Sequence, residues 1–266
     1  KGEILFCDGG MGTFLQAKGL LPGQCPELWC IEHPDEVKDI HRRYRAAGSD
    51  IVETNSFGGT RYKLKHYGLD SRVAEINRAA ARIAREVASD SQYVLGSVGP
   101  TGQFMEPLGL ETEENFIAAF KEQIVALEAG GADMVIIETM TAIEEAIAAV
   151  KAAKENTKLV VVASFTFDPQ PNGKYATMMG VTPESFVEKI LPAGADIIGA
   201  NCGTGMDHMI EIVKRLRQAA PRMPIFAMPN AGMPVLENGQ TVFKETPRQM
   251  AAQAPKLVKA GANIIG

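Results

Sequence analysis

The stretch Ala193-Gly-Ala-Asp-Ile-Ile-Gly-Ala-Asn-Cys-Gly-Thr-Gly205 decides the fold. It reads as a glycine turn, a short apolar strand, and a glycine-rich loop that opens on Asn201 and a thiol, Cys202. The same phrase recurs as Ala47-Gly-Ser-Asp-Ile-Val-Glu-Thr54, Gly130-Gly-Ala-Asp-Met-Val-Ile-Ile-Glu-Thr139 and Ala260-Gly-Ala-Asn-Ile-Ile-Gly266, each time behind a helical pattern. A repeated order of helix, glycine turn and strand is the mark of a parallel α/β fold.

Working outward, short runs rich in Val, Ile, Leu or Phe predict strands near 3–7, 51–54, 93–98, 133–138, 158–165, 195–200, 224–228 and 262–266. Helical patterns fall between them at 35–47, 70–89, 112–129, 141–154, 182–190, 206–219 and 246–260, several opened by Asp, Thr or Pro. Near-continuous apolar strands alternating with amphipathic helices predict an α/β (β/α)8 barrel, with residues 1–266 as a single domain lacking its eighth helix. An open doubly wound sheet is the runner-up, but Asp8-Gly-Gly-Met-Gly-Thr13 has the wrong glycine spacing for a dinucleotide turn. The Pro/Gly segments 99–110 and 229–240 read as long loops of one barrel. Starting at Lys1 and stopping at a strand's closing glycine, the sequence reads as a piece of a longer protein.

Composition narrows the partners. A net charge of -5, with both signs mixed along the chain, gives no electrostatic reason to expect nucleic acid or an anionic membrane. No apolar run approaches the ~20 residues that cross a bilayer. The four cysteines are too few and too scattered to staple a chain that can bury an ample core, so they read as reduced thiols. A cytoplasmic location is the expectation.

In a (β/α)8 barrel the chemistry gathers where the strands end at their carboxyl side. The tips here are Asp8-Gly9-Gly10, Glu53-Thr54-Asn55-Ser56, Gly99 to Gly102, Glu138-Thr139, Ser164 to Thr166, Asn201-Cys202-Gly203 and Pro229 to Gly232. They supply carboxylates, amides, hydroxyls and one thiol, without arginine, histidine or lysine. Such a set lacks a phosphate clamp and an aldolase lysine, and suits an amino acid, with carboxylates for its ammonium group and backbone N–H groups for its carboxylate. Cys202 could equally be a buried small hydrophobe. Glu53 and Glu138 could be helix caps. His208 reads as a surface residue of a helix beginning near Met206, Cys7 as part of the barrel wall, and Cys25 and Cys30 as flanking Trp29 in a loop.

Six ordered motifs, Asp8-Gly-Gly-Met-Gly-Thr13, Glu53-Thr-Asn-Ser-Phe-Gly-Gly-Thr60, Gly99-Pro-Thr101, Ile137-Glu138-Thr139, Gly199-Ala-Asn-Cys202 and Pro229-Asn-Ala-Gly232, resemble the homocysteine S-methyltransferase family, most closely its cobalamin-dependent members. The resemblance covers the whole chain. It implies an enzyme that moves a methyl group onto the thiol of homocysteine to give methionine, with zinc as cofactor. The implied donor is methylcobalamin, recharged from methyltetrahydrofolate on partner cobalamin- and folate-binding domains. It further implies Cys202 as the catalytic metal ligand, with two more thiolates in a Gly-Gly-Cys-Cys-Gly-Thr motif starting at Gly266. By the same likeness Glu138 binds the substrate ammonium, and Asp8 with the amides of Gly9 and Gly10 holds the amino-acid end. Asn201 sits beside the metal, and Asn230 shapes the mouth or approaches the zinc when substrate is absent. Thr54, Asn55 and Ser164 complete the substrate-binding candidates. Two other readings stay open: betaine or S-methylmethionine as donor, and a non-catalytic amino-acid-binding fragment.

Overall fold

The computed structural model describes residues 3–233, 235–237 and 240–266. Eight strands form one parallel sheet: β1 (Leu5–Phe6), β2 (Ile51–Glu53), β3 (Tyr93–Val98), β4 (Met134–Met140), β5 (Val160–Phe165), β6 (Ile197–Asn201), β7 (Ile225–Met228) and β8 (Ile264–Ile265). Their order is β1-β8-β7-β6-β5-β4-β3-β2, and a parallel bridge from Cys7 to Ile51 links the first strand to the second. This is the connectivity of a (β/α)8 barrel, as the alternating pattern predicts. The main helices are α1 (Pro34–Ala47), α2 (Val73–Val87), α3 (Glu113–Ala129), α4 (Ile143–Asn156), α5 (Pro183–Ile190), α6 (Met206–Ala219) and α7 (Pro247–Ala260). Three of the predicted helices begin one residue late because their first residue is the cap: Thr112, Thr182 and Thr246 accept from the N–H of Asn115, Ser185 and Gln249.

The repeated phrase has a physical reason in both of its parts. Gly48, Gly131, Gly194 and Gly261 all hold positive φ, between 100° and 122°, where the chain leaves a helix for the next strand. A Cβ would strain each of these turns. The acid or amide two residues later then fixes strand register: Asp50 accepts the N–H of Phe6 at 2.8 Å, Asp133 that of Val94 at 2.8 Å, and Asn263 that of Ile225 at 3.0 Å. Each side chain satisfies a backbone donor at the start of a neighbouring strand, where an orphan would be costly.

The chain divides into two compact units, one of Lys1–Leu5, Glu138–Ile143 and Val162–Gly266, the other of Phe6–Ile137 and Glu144–Val161. In the second, Leu15, Trp29, Val37, Ile40, Ala79, Ala80 and Ile83 pack as one buried cluster. Trp29 and Cys30 lie on a one-turn helix, Trp29–Glu32, within the segment read from sequence as loop. Thr54 and Asn55 serve this unit's scaffold: Thr54 Oγ1 accepts the N–H of Ser97 at 3.0 Å, and Asn55 Nδ2 donates to the Pro26 carbonyl at 2.8 Å. In the first unit the rings of Phe165 and Phe186 meet at 4.4 Å, with Phe167 6.0 Å from each. The 229–240 segment gives way to a hairpin in which Val235–Glu237 pairs with Gln240–Val242. Among the described residues no helix is long and apolar enough to cross a membrane.

Candidate functional site

In the unit that holds Cys202, four predicted residues meet around one buried amide. β6 ends at Asn201, whose register is set by pairing with Met228 of β7, and β5 brings Ser164 beside it. Asn201 Oδ1 accepts from the Thr139 N–H at 3.0 Å and from Ser164 Oγ at 2.7 Å. Its Nδ2 donates to Glu138 Oε2 at 3.1 Å and to Thr139 Oγ1 at 2.8 Å, and lies 3.4 Å from Cys202 Sγ. Asn201 therefore holds the carboxylate and the thiol in fixed relation.

Cys202 and Thr139 are the two non-glycine residues with positive φ among those described, both at 57°. For a β-branched threonine this is a true outlier, and paired strain at two strand tips is a feature that persists where surrounding contacts impose it. The contacts are visible: the Cys202 N–H donates to Met228 O at 3.0 Å, its carbonyl accepts from Thr204 N at 2.7 Å, and Thr166 Oγ1 caps the Asn201 carbonyl at 2.9 Å. The thiol is partly exposed, whereas Cys7, Cys25 and Cys30 are buried. Burial and the neighbouring Glu138 carboxylate push the Cys202 thiol above its ordinary pKa, against the opposing hydrogen bonds of Thr139 and Asn201. By itself it stays protonated at neutral pH. Metal coordination would remove that proton, and a partly exposed thiol held at a strand tip fits the demands of one thiolate ligand. Asn230 lies on the loop after β7, which its N–H ties to the Thr204 carbonyl at 3.1 Å. His208 is exposed, with Nδ1 3.0 Å from the Tyr175 hydroxyl.

The other unit carries a second cluster after β1. Both carboxylate oxygens of Asp8 accept the Glu53 N–H, at 2.9 and 3.0 Å, and Cys7 Sγ lies 3.7 Å from Asp8 Oδ1 and 4.0 Å from Glu53 Oε2. A thiol and two carboxylates whose ligand atoms lie within 4.8 Å of one another form a negative pocket able to accept a cation. The turn beside it is fixed from α1: Tyr44 donates to the Gly10 carbonyl at 2.9 Å, and its hydroxyl would stand 3.3 Å from a Cβ at Gly9. Three residues earlier on the same helix, His41 is fully buried, its Nδ1 4.0 Å from Asp8 Oδ2. Burial pushes its pKa down to about 4, so the imidazole is neutral at physiological pH. Nothing in the sequence marks His41, because a single histidine on the apolar face of a helix looks like filling. Only its place three residues before a tyrosine on that face hints at a shared target.

A family model described as Homocysteine S-methyltransferase matches residues 5–266. The chain belongs to that family. It is 33% identical to a methionine synthase of Mycobacterium tuberculosis and 32% identical to that of Mycobacterium leprae, in each case over 99% of this chain and 23% of the relative. This homocysteine S-methyltransferase family member thus spans about a quarter of the length of those relatives. The metallated form of the homocysteine methyltransferase MmuM from Escherichia coli shares the fold, with a TM-score of 0.79 at 23% identity over 100% of this chain and 91% of that one.

Proposed function

We propose that this chain is the homocysteine-binding part of a cobalamin-dependent methionine-forming methyltransferase. The observation that carries the reading is the Glu138–Asn201–Cys202 arrangement, a buried amide that orients a carboxylate and a thiol at the tips of β4 and β6. Glu138 takes the substrate's ammonium group, and Asp8 with the amides of Gly9 and Gly10 holds the amino-acid end. Ser164 acts through Asn201, whose oxygen it steadies. Thr54 and Asn55 act by shaping the loop after β2.

Cys202 is one of the ligands that would hold zinc, with the remaining thiolates supplied by residues following Gly266, and Asn230 a neighbour on the next loop. Bound there, zinc supplies the deprotonation of the homocysteine thiol, which at an ordinary pKa near 8.5 is mostly protonated and a poor nucleophile. The rest of the work belongs to the protein's own groups. Ion pairing by Glu138 fixes the substrate's orientation, and such positioning can contribute several of the roughly 7–11 kcal/mol available from proximity. In this reading the donor is methylcobalamin rather than betaine or S-methylmethionine, carried on further domains, in keeping with methionine synthase relatives of which this chain spans about a quarter.

The test uses the full-length protein that contains this segment. It should bind about one zinc and convert homocysteine to methionine with methylcobalamin, and Cys202→Ala should abolish both. Undiminished metal content and turnover in that variant would defeat the reading, and turnover with betaine alone would reassign the donor.

A further inference from the structure

The buried imidazole of His41 is a group that the chemistry above does not use. It is completely shielded from solvent, and among the described residues neither ring nitrogen has a hydrogen-bond partner. A leucine would fill the same space without the penalty of burying two polar nitrogens. Asp8 Oδ2 lies 4.0 Å from Nδ1. That distance is about one ångström longer than a hydrogen bond. Meanwhile Tyr44, one turn along α1, already donates to Gly10 O at 2.9 Å. Two polar side chains on one face of one helix are therefore directed at the same turn, one bonded to it and the other held just short.

We propose that His41 is a positioning residue for Asp8: when the amino-acid end of the substrate occupies the turn, Nδ1–H of His41 donates to Asp8 Oδ2 and steadies the carboxylate in the orientation that holds the ligand. This rests on the reading that Asp8 holds the amino-acid end of homocysteine. The apparent gap has a use. A donor that reaches full strength only in the loaded state favours that state over the free one, whereas a bond already complete would not discriminate between them. Asp8 takes the Glu53 N–H between its two oxygens, and Cys7 Sγ lies 3.7 Å from Oδ1, so the Oδ2 side is the one that His41 faces. His41 supplies its contact from behind, inside the protein, where water does not compete.

The experiment measures steady-state kinetics of the full-length enzyme for homocysteine in His41→Phe, His41→Asn, Asp8→Asn and the Asp8→Asn/His41→Phe pair. Removing the donor in His41→Phe should raise KM about tenfold and leave kcat within about twofold. His41→Asn, whose amide nitrogen stands close to the place of Nδ1, should restore KM to within about threefold of the native value. In the Asp8→Asn background, His41→Phe should add little, because the group it acts through is already neutral. Equal impairment in His41→Asn and His41→Phe, or additive effects in the pair, would overturn the role of His41 while leaving the substrate site intact. An unchanged KM in Asp8→Asn would instead overturn both this role and the placement of Asp8 at the substrate. Should the phenylalanine variant not fold, the Nδ1–H proton resonance of His41 in the native protein decides: homocysteine should shift it downfield and slow its exchange, and an unchanged signal would reject the proposal.

Discussion

Asn201→Ala tests the central amide directly. The side chain accepts from the Thr139 N–H and Ser164 Oγ and donates to Glu138 Oε2 and Thr139 Oγ1, at distances between 2.7 and 3.1 Å. Truncation leaves a buried backbone N–H and a buried hydroxyl without this acceptor, and takes one donor from a carboxylate. Each such loss costs about 1–3 kcal/mol, more where a charge is involved, and the terms overlap because Ser164 can turn elsewhere. A net destabilisation of about 3–5 kcal/mol follows, or a fall in Tm of roughly 6–20 °C for a domain of this size. Urea titration at pH 7 with circular dichroism measures it, and Asn201→Asp sharpens the result. Aspartate keeps both acceptor contacts but brings a second carboxylate against Glu138, so its stability should recover as pH falls and one of the two takes a proton. A loss below about 1 kcal/mol in Asn201→Ala, or an aspartate variant no better at pH 5 than at pH 7, would refute the view that this amide bears the cluster.

Other outcomes follow from single features. Gly48→Ala adds a Cβ that meets nothing within 4 Å, so its whole cost comes from φ of 100°, about 1–2 kcal/mol by denaturant titration, and a neutral result would show that the turn readily relaxes. His41, with a pKa near 4 in the fold against 6.5 ordinarily, refuses a proton that the unfolded chain accepts. Its contribution is intact above pH 6.5 and is lost as pH falls to 4, by about 3 kcal/mol in all, and His41→Leu should flatten that part of the stability profile. Asn263→Ala strips an acceptor from the Ile225 N–H and from Arg217, and should cost about 1–2 kcal/mol with the barrel core otherwise unchanged, as read by hydrogen exchange at Ile225.

The barrel was legible because its signals are local and repeated. Four glycines at helix ends and four acid or amide residues two positions on mark the same joint in the same way, and the apolar runs behind them are short enough to be strands only. Cys202, Asn201, Glu138 and Ser164 were legible as strand-tip residues, and three of them bond directly to the fourth, Asn201. What periodicity does not encode is direction at a single position. The positive φ of Thr139 arises from contacts with β6, distant in sequence, and nothing about a threonine announces it. The inward aim of His41 has the same origin: a helix pattern tells that a residue faces the core but not which polar atom waits there. The scaffold bonds of Thr54 and Asn55 were equally hidden, since a hydroxyl or amide that braces a loop is chemically identical in sequence to one that greets a substrate.

The left-handed backbone at Cys202 sets selection for durability against selection for chemistry. Glycine is the residue that this dihedral angle suits best, so a Cys202→Gly change would relieve backbone strain even as it discards the sulfur. A lineage with no use for this sulfur would drift toward glycine and become a sturdier barrel, while one that keeps the cysteine carries a standing cost in folding free energy.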